Sequence, residues 1–440
     1  MNVAIIGAGP SGLAAAHELT KNGIKVDIYD NDKEIGGLAK CIDLWGEAIE
    51  LGPHFLVLNM QEDVKELVND ILKDDIYHFD RLSRIYLNKK FYDYPPRPFN
   101  IIKNLGAIKT LAAITSKMSE IIFPTKNIGT VESYMKKNLG SYIYENFFKG
   151  YTEKLWGIPC HEIGEDYAES LIGFDRLTLF TIVNKMFSNK KFNLHRNCIY
   201  PKGGMRLIWT RLKDKIENQG GKIYLSTSIK NLLVKEKQIY GIAMANGEER
   251  FYDYIFSSIS EASIIRMLPD VPKNILEELS KIQFRKIIFV YVQLDNNNFI
   301  EDNTIYLYDN RIKASRITNY NRFKNISGNN IVMCEYWTGS NEPMYTYTSD
   351  QMIEIAKQDL KLLPNSNNIN IKDHKVIHLK NAYPVPDLKF TDRKKMVHEY
   401  LSQYKGLSTF GRANQKKLNF GMENTILDAI NLSRHFKNHI

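Results

Sequence analysis

The feature that most narrows what this chain can fold into is a spaced set of glycines near its start. Val3-Ala4-Ile5-Ile6 reads as a short buried strand, Gly7-Ala8-Gly9-Pro10-Ser11-Gly12 as a turn, and the Ala-rich residues 13–20 as a helix. Gly23 interrupts the chain, and residues 25–29 read as a second, parallel strand that ends at Asp30. A lone Gly-x-Gly-x-x-Gly says little. Between a strand and a helix, with an acidic residue closing the next strand, it is a dinucleotide-binding βαβ unit. Each part has a physical reason. Gly7 permits the tight turn, Gly9 leaves its backbone open to a pyrophosphate, and Gly12 lets helix and strand pack closely. Pro10 and Ser11 lie in the turn before the helix, whose free N–H groups and positive dipole end face the phosphates. Asp30 is placed to accept hydrogen bonds from ribose hydroxyls.

A chain of 440 residues with 43% apolar content can build a large core in two lobes. Val64, Leu67, Val68, Ile71 and Leu72 recur at helical spacing, and residues 100–190 are mostly helical in pattern. Residues 222–225, 253–256, 287–294, 304–308 and 331–336 are β-type runs, and residues 422–436 read as a closing helix. The expected fold class is α/β (α+β). A Rossmann-type lobe is assembled from residues 1–95, 190–265 and 400–440. A helical region, 96–189, is inserted into it, with a mixed or antiparallel-sheet substrate lobe at 266–399.

The net charge of +9 is spread without a block of Lys and Arg, and no nucleic-acid motif is visible. Solvated lysine or an anionic diphosphate ligand accounts for it. Cys41, Cys160, Cys198 and Cys334 show neither CxxC spacing nor a histidine pairing, so they read as reduced thiols of a cytoplasmic protein, with no metal site. No run of about 18 apolar residues predicts a membrane span.

Beyond the turn, Ile35-Gly36-Gly37-Leu38-Ala39 resembles the extended motif of FAD-binding flavoproteins, which many NAD dehydrogenases lack. From here the chain resembles the FAD-binding superfamily that includes amine oxidases, protoporphyrinogen oxidase and UDP-galactopyranose mutase. Several segments look like the mutase branch. Gly52-Pro53-His54 is similar to the element whose histidine lies beside the flavin. Tyr151-Thr152-Glu153-Lys154-Leu155-Trp156-Gly157 is similar to the stretch whose tryptophan borders the sugar site. Tyr200-Pro201-Lys202-Gly203-Gly204-Met205 resembles the segment returning to the FAD lobe. Ser315-Arg316-Ile317-Thr318 resembles the element whose arginine meets flavin and substrate phosphate, and Ala382-Tyr383-Pro384-Val385 the one beside the diphosphate. Gly411-Arg412 resembles the C-terminal turn at the flavin, with the helix from Met422 aimed at the ring.

The resemblance implies FAD as cofactor, reduced for mutase chemistry, with NAD(P)H a candidate electron donor. In that family the reduced flavin N5 attacks the anomeric carbon of a nucleotide sugar, in surface-glycan synthesis. His54 and Arg316 are the implied catalytic residues. Trp156, Arg176, Tyr200, Arg316, Tyr383 and Lys416 are the implied substrate contacts. Two departures qualify this. Ser170 stands where the mutases carry a diphosphate-clamping arginine, Arg176 being the nearest arginine. The run from Lys416 to Glu423 lacks their phosphate-binding tyrosine, leaving Lys416 or Lys417 as a point charge. The alternative is an oxidase or dehydrogenase of the amine-oxidase type that passes a hydride from substrate to flavin. A flavin-binding protein without turnover is a third reading. The expected partner is a small molecule, a nucleotide diphosphate sugar, and an oligomer is compatible with the resemblance.

Overall fold

In the computed structural model the description covers residues 1–172, 197–295, 300–323, 330–366, 369–414 and 421–438. The chain divides into two compact units. Unit 1 comprises Met1–His78, Cys198–Lys281 and Asp392–Ile440, and unit 2 comprises Phe79–Asn197 and Ile282–Thr391.

Unit 1 is built on a five-stranded parallel sheet. Its order is Lys222–Tyr224, Lys25–Tyr29, Asn2–Ile6, Tyr254–Ser257 and Leu407–Thr409. The first strand sits centrally because four of its five residues are apolar and buried, as a parallel strand covered on both faces requires. Helices Pro10–Lys21, Glu62–Leu72, Arg206–Asn218 and Met422–Lys437 supply much of the core against it, through Leu13, Val68, Trp209 and Ile430 among others. The pattern Val64, Val68, Ile71 and Leu72 is buried as helical periodicity predicts. An antiparallel meander of Ile229–Lys235, Gln238–Met244 and Glu249–Phe251 is also present. It was not legible beforehand, because its turn residues Glu236-Lys237 hold left-handed backbone without the glycine that usually marks such turns.

Unit 2 is built on a seven-stranded mixed sheet. Its order is Ile371–Pro384, Phe284–Leu294, Asn330–Thr338, Arg316–Asn319, Thr304–Leu307, Ser83–Leu87 and Lys90–Asp93. All neighbours are antiparallel except Thr304–Leu307 and Ser83–Leu87. Period-two alternation divides the sheet's faces. Ile288, Val290, Ile305, Ile317, Val332 and Cys334 turn to one face, where Met352, Ile353 and Ala356 of helix Ser349–Lys361 cover them. The other face carries Tyr306, Arg316, Glu335 and Trp337. Among the described residues the unit also carries helices, from Pro98–Leu105 and Ala107–Ile122 to Glu165–Ile172.

The expected lobe boundaries need correction. Residues 83–93 form two strands of the unit 2 sheet and so do not belong with 1–78. Residues 266–281 and 392–399 fall in unit 1, where helix Lys273–Ser280 buries Ile275 and Leu279. Pairing of Ser83–Leu87 with the distant Thr304–Leu307 sets the first of these borders.

Candidate functional site

In unit 1 the glycine turn is a compact cradle. Asp30 does more than close a strand. Its Oδ2 accepts a hydrogen bond from Ala8 N at 2.7 Å, and its Oδ1 accepts from Asp32 N at 2.8 Å. The carboxylate therefore fixes the turn that precedes the helix. Gly7 adopts φ +104°, which a side chain disfavours. At Gly12 a Cβ would stand 1.9 Å from Gly7 O, so turn and helix touch backbone to backbone. Gly36 N donates to Ala8 O at 2.9 Å, and a Cβ on Gly37 would meet Gly9 Cα at 3.1 Å. The glycine doublet is thus docked on the turn, with Leu38 and Ala39 following in a short 3-10 turn whose Ala39 O accepts from Trp209 Nε1.

The helix Pro10–Lys21 starts on Gly9 with no side-chain cap and no acidic residue in its first turn. Ser11 and Gly12 leave N–H groups at its positive end without a side-chain acceptor, which suits an anion. A similar start occurs at Met422, after Gly421, again with no side-chain cap. Glu423 Oε1 of that first turn accepts from Val57 N at 3.3 Å. The helix start and the Gly52-Pro53-His54 loop are thereby brought to one place. His54 is half-buried, and its Nδ1 lies 3.2 Å from Gly52 O. Gly411 holds φ +84°, and a Cβ there would meet Ser258 O at 3.1 Å, which places the Gly411-Arg412 turn against the strand end after Ser257. Tyr200 departs from its expected role as a substrate contact. It is buried, and its hydroxyl donates to Glu50 Oε1 at 2.6 Å inside unit 1, an acceptor it shares with Met205 N. A carboxylate this deep needs donors, and Tyr200 is one of them.

In unit 2 the polar face of the large sheet gathers the other expected residues. Arg316 and Glu335 are direct cross-strand partners. Arg316 donates through Nε and Nη2 to Glu335 Oε2 at 3.1 and 2.5 Å, while Trp337 Nε1 donates to Glu335 Oε1 at 2.7 Å. Arg316 Nη1 makes no hydrogen bond among the described residues. Burial works against its charge, but the Glu335 carboxylate more than offsets this and raises the guanidinium pKa. Tyr306 opposes Arg316 on the next strand and stacks on Tyr94 at 4.2 Å between centroids, and Tyr151 stacks on Tyr308 at 4.0 Å. Trp337 stacks on Tyr383 at 4.8 Å, and Trp156 meets both edge-on. Trp156 itself is buried, so it backs the aromatic group more than it presents a surface. Arg176 and Lys416 lie outside the described residues.

Three residues were given no role of their own by the sequence. Glu335 was readable as the lone carboxylate in an apolar strand. Arg285, almost fully buried, pairs with Glu342. Lys154 is the third. Its Nζ donates to the carbonyls of Leu307 at 2.9 Å, Asp309 at 3.2 Å and Ile312 at 2.8 Å, clamping the loop that joins the strands of Tyr306 and Arg316. Burial pushes its pKa down to about 8, against the pull of Asp359 and Asp309. The unfolded chain, with a lysine value of 10.5, binds more protons between those two values. The contribution of this site to stability is therefore lowest below pH 8 and rises through 10.5, by roughly 3 kcal/mol. Unfolding curves measured across that range should show the rise in the native chain and lose it in Lys154→Met. Parallel curves for the two proteins would refute it.

Residues 5–71 match the model of the NAD(P)-binding Rossmann-like domain. Among curated proteins the chain is similar to dTDP-fucopyranose mutase of Escherichia coli, 28% identical over 271 residues, which covers 58% of this chain and 66% of that one. It is also similar to a 4,4'-diapophytoene desaturase of a Methylomonas species, 23% identical over 289 residues, 56% of this chain and 51% of that one. The chain thus spans between half and two thirds of the length of these relatives. Of solved structures, reduced UDP-galactopyranose mutase superimposes with a TM-score of 0.83 at 17% identity, over 100% of this chain and 96% of the other. At that identity the likeness is one of fold. The mixed α/β architecture and Rossmann-like unit expected from the sequence are those of this mutase and oxidase fold.

Proposed function

We propose that the chain is an FAD enzyme that interconverts the pyranose and furanose forms of a nucleotide-linked sugar, or a close relative of such mutases. The observation that carries this reading is the guanidinium of Arg316. It is fixed by Glu335, has one nitrogen uncommitted among the described residues, and has Tyr306 and Tyr151 as neighbours. A cation so held suits a diphosphate leaving group, and the flat rings suit a sugar or base. A pocket for an apolar amine would need the rings without the cation. The similarity to a sugar-nucleotide mutase and to the fold of another supports the same reading.

The unit 1 cradle fits FAD. Ser11 and Gly12 would hold the pyrophosphate, Asp30 the ribose, and Gly36, Gly37, Leu38 and Ala39 the neighbouring arm. The start of the Met422 helix, Arg412 and His54 would hold the ring, where a helix N-terminus favours negative charge. When bound and reduced, the cofactor supplies the nucleophilic, electron-rich centre that such an isomerisation needs. The work left to this chain is positional. Arg316 would bind the diphosphate and stabilise the charge that it gains on leaving, and Glu335 would hold Arg316 in that orientation. Tyr383 and Trp337 would wall the sugar, and Lys154 would fix the loop from which Tyr308 projects. Arg176 and Lys416 are candidates for the second phosphate. The buried cysteines suit a reducing, cytoplasmic location, and surface-glycan synthesis suits the substrate class.

The test is anaerobic reduction of the flavin followed by a panel of sugar nucleotides. Ring interconversion is expected with reduced flavin and not with oxidised flavin. The second reading, a hydride-transferring oxidoreductase, is favoured by the similarity to a desaturase. Substrate-dependent bleaching of oxidised flavin, without any interconversion by the reduced form, would establish it in place of the first.

A further inference from the structure

The helix Ala107–Ile122 in unit 2 is inverted. Thr110, Ala112, Ala113, Ser116 and Glu120 face the protein, while Lys109, Thr115 and Ser119 are exposed. Ser116 Oγ accepts from Tyr142 N at 2.9 Å, and the buried Glu120 accepts from Thr125 N, Thr125 Oγ1 and Ser141 Oγ. Its large apolar residues face outward: Ile108, Leu111, Ile114, Met118 and Ile122, at helical spacing. Ile108 is 86% exposed. At the two ends of this region Phe99 and Phe123 are 72% and 77% exposed. Rolling the helix to hide this stripe would tear Glu120 and Ser116 from their partners, so the outward orientation is built in.

The exposed charged side chains of residues 98–128 have one sign, and the acid nearest to them in the hydrogen bonds is Glu165, which accepts from Asn127 Nδ2 at 2.7 Å. Within residues 98–128 the exposed cations are Lys103, Lys109 and Lys126, none of which has an ion-pair partner among the described residues. The sole acid of the segment is Glu120, turned inward and satisfied. A contiguous apolar patch edged by unpaired lysines marks a surface meant to be covered. A second copy meeting the first across this patch would set lysine against lysine. An interface that is at once apolar and anionic matches both features, and that is the chemistry of a bilayer containing acidic lipids. No described helix is long and apolar enough to cross a membrane, and a helix of 16 residues broken by two lysines is suited to lying in the interface instead.

We propose that the 98–128 face is a docking surface for an anionic lipid bilayer, on which the protein sits peripherally through the Ala107–Ile122 stripe and its flanking lysines.

The experiment is flotation of the flavin-loaded full chain with phosphatidylcholine vesicles, with and without phosphatidylglycerol. Binding is expected with the anionic vesicles, weakening as salt is raised. Changing Lys103, Lys109 and Lys126 to Glu together should lower the affinity at least about a hundredfold, at roughly fivefold for each lysine lost. Ile108→Asp with Leu111→Asp should abolish flotation and leave the flavin spectrum and thermal midpoint as they were, since both side chains point away from the protein. Failure to float with anionic vesicles at low salt would overturn the proposal. So would flotation indifferent to the apolar substitutions, or a dimer seen by light scattering that those substitutions dissolve while vesicles are never bound.

Discussion

Gly12→Ala should yield a protein that cannot hold its flavin. The added methyl would stand 1.9 Å from Gly7 O and 3.1 Å from Gly7 C, both backbone atoms of the turn that the helix rests on. A flexible side chain could swing aside, but a peptide group anchored through Ala8 N to Asp30 cannot. Either the helix start lifts or the turn opens, and each displaces the N–H groups that would meet the pyrophosphate. Overpacking of this kind costs about 1–3 kcal/mol and more where no neighbour can yield. Purified Gly12→Ala is expected to be colourless or nearly so, with a lowered thermal midpoint. Gly23→Ala is the control. Gly23 has open space around it and a φ of +77°, so its cost is conformational and its site lies away from the cradle. That variant should lose a little stability and stay yellow. A Gly12→Ala protein with a full complement of flavin would show that the cradle is not the cofactor site.

Arg316→Ala should lose activity and stability together, for reasons that a second substitution separates. Glu335 is almost fully buried, and Arg316 is the cation beside it. Removing one partner of a buried pair strands the other charge, at about 3–5 kcal/mol. Loss of a cation that meets developing charge on a leaving diphosphate lowers kcat by roughly 10²–10³-fold. The double variant Arg316→Met with Glu335→Gln removes both charges and keeps an acceptor for Trp337 Nε1. It should regain most of the thermal stability and none of the turnover. Arg316→Lys keeps the charge without the two-nitrogen grip on Glu335 and should fall between. Recovery of turnover in the double variant would reduce Arg316 to a structural residue and remove the observation on which the mutase reading rests.

The contrast between the two sites follows from how each is encoded. The dinucleotide cradle spans about 40 consecutive residues, and its function needs local geometry: a tight turn, a bare backbone and an acid one strand further on. Gly7, Gly9, Gly12, Asp30, Gly36 and Gly37 are therefore legible as a string, and so are the period-two and helical patterns that assign most strands and helices. The sequence alone determined these, because each depends on neighbours within a turn or a strand. The Arg316 site is of another kind. Glu335 meets Arg316 only because strands 316–319 and 330–338 pair in one register, where a slip of one residue would turn Glu335 to the apolar face. Lys154 reaches its three carbonyls across 153 or more residues of chain, and Tyr200 turns inward because Glu50, 150 residues away, requires a donor. The same holds for the Ala107–Ile122 helix, of which the sequence shows the helical pattern but not the side that faces in. Hydrogen bonds from Tyr142 and Ser141 decide that the polar side faces in, and only the folded structure shows the greasy side left facing out.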